Sequence, residues 1–192
     1  MLCLTLEECS GWLHERGIKE VPYGRKLGRK ERYLQFAPPT NGNRGGLIGS
    51  LFGASDGFSG ALMHLTDWAW DPEYEEDPIA SLRSSAGETR PLVDVPGFVF
   101  DHGELTSAVD LGSIVLGRGW TSYVYLTSGV ATFLFWEGAL IDYWSTDQGL
   151  SKQLKAMLRG IGARIVHDRE PEKASRHRPQ RVTRTSTRLA AR

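Results

Sequence analysis

The sequence predicts an α+β protein, an antiparallel sheet centred on residues 121–145 and joined by 61–68 and 31–37, with helices packed on it. Three observations carry this. WTSYVYLTSGVATFLFWEGALIDYWSTD holds three runs rich in β-branched and aromatic residues, 121–128, 131–136 and 139–145. They are split by Ser128-Gly129 and Glu137-Gly138, pairs that can take positive φ in tight turns. Amphipathic helical patterns flank that block, at about 103–117 and 149–159. Finally, 192 residues with six Trp, six Tyr and seven Phe suit one domain with one core, because large aromatics contribute most of the burial that offsets chain entropy.

In chain order, Thr5-Leu6-Glu7-Glu8 is a capping box that opens a helix over about 6–16, with Leu6, Cys9 and Leu13 at helical spacing. A basic stretch, YGRKLGRKERYLQF, alternates into a strand near 31–37 that Pro38 and Pro39 stop. The glycine-rich run that follows leaves room for a short helix through 47–52. ALMHLTDWAW, 61–70, reads as a buried strand that delivers its end to the acidic loop DPEYEEDP. Pro78 restarts a short helix over 78–83, and LVDVPGFVF is extended and broken at Pro96-Gly97. Asp101 and Glu104 bracket a second capping box in DHGEL, ahead of the helix at 103–117. Asp147 caps the helix at 149–159, and ARIVHD is the last strand. Residues 1–168 therefore form a single globular domain. The segment 169–192, rich in Arg, Ser and Thr and poor in large apolar side chains, is expected to be a flexible basic tail.

Net charge is zero, but it is segregated. Residues 45–151 carry fifteen acids against Arg83, Arg90 and Arg118, a net of −12, whereas 173–192 carry seven bases and no acid. Such asymmetry speaks to partners rather than to fold. The chain shows no basic leader and no apolar run near the ~18 residues that cross a bilayer, so a cytoplasmic protein is expected. Two cysteines, Cys3 and Cys9, fit a reducing compartment and small core positions better than a zinc set.

Motifs for chemistry are sparse. The glycine-rich segment lacks the Gly-Lys-Ser/Thr ending of a phosphate loop, and Gly57-Phe58-Ser59-Gly60-Ala61 precedes a strand where a nucleophile elbow must follow one. His64 and His102 stand out only as partners for carboxylates in a cleft, and no metal or cofactor is expected. The acidic loop lacks the glycine a calcium loop needs to turn back. Its five crowded acids suit a surface better than acid/base work, which wants carboxylates in unlike environments. Trp68 and Trp70 beside Asp71, Glu73, Tyr74, Glu75, Glu76 and Asp77 combine apolar anchors with a dense negative field, suited to a basic protein partner.

TDWAWDPEYEEDP, SLRSSAGETRPLVDVPGFVF, DHGEL and the strands YVYLTSG and IDYWSTD together resemble the pattern of small bacterial proteins for which no activity is established, over about 60–147. Some small acidic proteins of this general sort look like immunity partners of bacterial toxins, and the resemblance implies a role of that kind. The expected function is a non-catalytic protein-binding module with an acidic surface, an immunity- or antitoxin-like inhibitor of a basic partner. One alternative is a divergent enzyme using carboxylates with His64 or His102. Another is a nucleic-acid-associated protein, through the tail alone, with Arg176, Arg178, Arg181, Arg184 and Arg188 on phosphate.

Overall fold

The computed structural model describes residues 1–170 apart from 21–27, 29, 41–42, 54–56, 72 and 74. Its strands are β1 (Leu2–Leu4), β2 (Arg32–Ala37), β3 (Gly60–Asp67), β4 (Gly97–Asp101), β5 (Thr121–Leu126), β6 (Ala131–Trp136), β7 (Leu140–Ser145) and β8 (Arg164–Arg169). Between them run α1 (Leu6–Glu15), α2 (Arg44–Gly53), α3 (Ala80–Ser85), α4 (Leu105–Arg118) and α5 (Gln148–Gly160). The strands form one eight-stranded sheet, ordered β1-β4-β3-β5-β6-β7-β2-β8, and every pairing is antiparallel. This is the α+β class that the sequence predicts.

The meander forms where its turn residues place it. Glu137 and Gly138 both take positive φ, 50° and 67°, at the centre of a tight turn that the Ala139 N–H closes on the Trp136 carbonyl. A Cβ on Gly138 would come within 2.5 Å of the Leu116 carbonyl oxygen, so this turn also needs glycine to pack under the end of α4.

Strand alternation divides the core between the sheet's two faces. On one face Leu34, Phe36, Met63, Phe98, Phe100, Val124, Phe133 and Tyr143 meet Leu47, Ile48 and Phe52 of α2, Leu111 and Val115 of α4, and Leu154 and Leu158 of α5. On the other, Leu62, Tyr125, Leu134 and Trp144 pack with Cys9, Trp12 and Leu13 of α1. The α1 helix opens on the capping box read from the sequence, with Glu8 N–H on the Thr5 hydroxyl and Thr5 N–H on the Glu8 carboxylate. Both cysteines are buried, Cys9 on α1 and Cys3 on β1, and burial pushes the Cys9 thiol up to about 12.

Four details differ from the sequence reading. β1 is a strand the sequence does not announce, three residues long and formed only against β4. β3 stops at Asp67, after a register shift between Leu65 and Asp67, so Trp68 and Trp70 lie beyond the strand. The box at DHGEL is half made. Glu104 accepts the Asp101 N–H, but the Asp101 carboxylate turns to Gly103 N–H, and α4 begins at Leu105. Arg169 still pairs with Tyr33 in β8, and Glu170 reaches back to Arg32; the rest of the tail, including Arg176, Arg178, Arg181, Arg184 and Arg188, lies outside the described residues.

Candidate functional site

The acidic connection runs from the end of β3 to α3, and hydrogen bonds tie its described residues to one another and to Trp120. The buried Trp120 indole donates to the Ala69 carbonyl at 3.0 Å, and the Trp70 indole donates to the Glu75 carbonyl at 3.3 Å. Glu73 N–H closes a turn on the Asp71 carboxylate at 3.0 Å, and Ile79 N–H is held by Asp77 at 2.9 Å. Trp68 and Trp70 are half-buried and lean against the main core, so each gives part of its ring to the fold and leaves part open. Tyr74 lies outside the described residues.

The five acids do not share one environment. Asp77 is half-buried and bonds the Arg83 guanidinium at 2.9 Å, a contact that ties the loop to α3. Arg83 is only 7% exposed, and its Nε finds no partner among the described residues, so Asp77 is its counter-charge. Asp71, Glu73, Glu75 and Glu76 are exposed, and Glu75 reaches Arg118 at the end of α4 at 2.6 Å. That contact joins the loop to the β6–β7 turn, because Gly119, next in sequence to Arg118, packs against the Glu137 carbonyl. Asp67 and Glu137, both exposed, therefore stand at the same end of the sheet as the loop. The C-terminal end of α4 adds its own partial negative charge there. The result is an outward-facing acidic end, held in shape by backbone bonds. Among the described residues no three His, Cys, Asp or Glu side chains gather as a metal ion would require.

His64 and His102 are not brought together. Gly97 pairs with His64 and Asp101 with Gly60, so His102 lies roughly 16 Å farther along the β3–β4 ladder at the ~3.3 Å rise of a strand. His64 is half-buried, and burial holds its pKa below the ordinary imidazole value against the opposing charge of Glu20.

One site escapes the sequence reading. Register aligns His64, Tyr123, Leu134, Asp142, Gln35 and His167 in a single row across the face that carries α1. Asp142, 1% exposed, accepts the Tyr33 hydroxyl at 2.9 Å and the Gln35 amide at 2.8 Å, both on Oδ1. Desolvation raises its pKa above the usual carboxylate range, and the two hydrogen bonds and the charge of His167 offset this in part. The signal was present in IDYWS, an acid at an alternate position of an aromatic strand, but its partners come from β2, more than a hundred residues away. The row does not form an acid/base pair: three strand spacings, ~14 Å, separate His64 from Asp142.

Against this geometry the comparisons add no precedent: no family model, no curated protein and no solved structure matches the chain.

Proposed function

We propose that the chain is a non-catalytic binding module, of the immunity or antitoxin-like inhibitor kind, that presents the acidic end of its sheet to a basic partner protein. The observation that carries this reading is the outward placement of Asp71, Glu73, Glu75 and Glu76 on the loop, with Asp67 at the end of β3 and Glu137 in the β6–β7 turn, at one end of the fold, where hydrogen bonds tie the loop's described residues. Residues already tied by hydrogen bonds forfeit less conformational entropy on docking, and their charge favours partner choice and fast association. The half-open rings of Trp68 and Trp70 give the same surface an apolar component. Asp77 belongs to the support of this surface, since its carboxylate faces Arg83.

The test is affinity capture from the source cells on immobilised chain at low salt, with Asp71→Lys/Glu73→Lys/Glu76→Lys as the control bait. The reading expects a basic protein that the native bait retains, that the charge-reversed bait loses, and that high salt elutes. Equal retention by both baits would overturn it.

A further inference from the structure

At the opposite end of the sheet from the acidic loop, a cleft of about 680 Å³ opens between the end of α1, residues Gly28, Lys30 and Glu31, and the β5–β6 turn. We propose that this cleft is a binding site for a small phosphate-bearing molecule, with the phosphate among Arg16, Lys19 and Lys30 and the rest of the ligand over Trp144.

The volume falls within the ~300–1,000 Å³ of small-molecule sites. Among the described residues its lining includes those three cations and one acid, Glu31, whose carboxylate is already engaged by the Gly28 N–H at 2.9 Å. The lining carries an excess of two positive charges, of which the exposed Glu15 carboxylate, 3.6 Å from the Arg16 guanidinium, offsets only part, and this suits the charge of roughly −1.5 to −2 on a phosphate monoester. All three cations lie within residues 1–44, a stretch of eight bases and five acids set apart from the net −12 of residues 45–151.

The site is built as well as charged. Arg16 closes α1: its guanidinium lies 4.3 Å from the Trp12 ring centroid and donates to the Trp12 carbonyl at 3.3 Å, so its position is set before any ligand arrives. It also satisfies a helix-end carbonyl, which offsets the unfavourable dipole that an anion would otherwise meet at a helix C-terminus. Ser128 and Thr132, both hydroxyl-bearing, also line the cleft. Trp144, 7% exposed and packed against Tyr33 with ring centroids 5.6 Å apart, gives a rigid apolar floor. A phosphate at the rim and an apolar group on the floor would use both halves of this lining.

The experiment is calorimetric titration of the full chain with inorganic phosphate, pyrophosphate and phenyl phosphate, at low and moderate salt. Phenyl phosphate is expected to bind more tightly than inorganic phosphate. Lys19→Glu/Lys30→Glu is expected to weaken it ~10-fold or more, and added salt to weaken it further. Both lysines are exposed, so the melting curve of the variant should match that of the native chain; if it does not, Lys19→Gln/Lys30→Gln decides the question. Absence of saturable binding by all three probes would overturn the proposal. So would binding undiminished in the lysine variants, which would assign the anion to the basic residues of the tail.

Discussion

Replacing Asp77 with alanine separates a supporting acid from a working one. In the native chain its Oδ2 accepts the Arg83 Nη1 at 2.9 Å and its Oδ1 accepts the Ile79 N–H at 2.9 Å, with side chains 18% and 9% exposed for Asp77 and Arg83. Truncation leaves a guanidinium buried without a counter-charge, and its Nε has no partner even before the change. Breaking a buried pair in this way costs ~3–5 kcal/mol, a large share of the ~5–15 kcal/mol that holds a typical domain together. Asp77→Ala/Arg83→Met removes the stranded charge as well and fills the space of the arginine stem. It should recover most of the loss, leaving about 1–2 kcal/mol for the missing contact to Ile79 N–H and imperfect packing. Urea unfolding followed by tryptophan fluorescence reads both variants, provided the m-values agree. A loss below ~1 kcal/mol for Asp77→Ala, or a double variant no more stable than the single one, would refute the assignment of Asp77 to the loop's support.

The remaining predictions concern the two faces of the sheet. Burial raises the Asp142 pKa, so the folded chain holds that proton more tightly than the unfolded one, and stability falls as pH rises through the window above the ordinary carboxylate value. Asp142→Asn keeps an acceptor for Tyr33 and Gln35 without the charge. It should match or exceed the native melting temperature at pH 8, with the gap closing toward pH 4; a variant clearly less stable at pH 8 would contradict the dominance of desolvation. Gly97→Ala would place a Cβ 2.2 Å from the Cys9 sulfur and 3.1 Å from the Leu4 Cβ, and should cost ~1–3 kcal/mol in urea. Adding Cys9→Ala clears the sulfur, so the pair should lose less than the two separate losses summed; simple additivity would argue against the contact. With its thiol pushed up to about 12, Cys9 should resist iodoacetamide at pH 8 in the folded chain and react in urea, as read by mass spectrometry.

The elements with strong local signals were legible in the sequence. The β5–β7 meander follows from period-two aromatics and turn residues, and α1 and α5 follow from caps that the structure retains at Thr5 and Asp147. What sequence could not reveal is long-range register. β2 lies between β7 and β8, and β1 lies against β4, because of packing between distant segments, and no residue in Leu2-Cys3-Leu4 announces it. The same limit hid the row through Asp142, since alternation places an acid on a face but does not say which tyrosine and glutamine will stand beside it. The acidic loop was visible as a composition. Its division was not: Asp77 differs from its neighbours only because Arg83, six residues on, folds back beneath it. Charge segregation along the chain was plain, whereas the placement of Asp67 and Glu137 beside the loop depends on the β3–β5 and β6–β7 pairings.

Hydrogen exchange on the complex with the captured partner reports which end of the sheet is covered. Slowed exchange is expected at amides of 68–71, 73–77, 118–121 and 137–139, with the row through Asp142 and the cleft by Trp144 unchanged. Protection confined to that row or cleft, with the acidic loop exchanging as in the free chain, would contradict the proposed function.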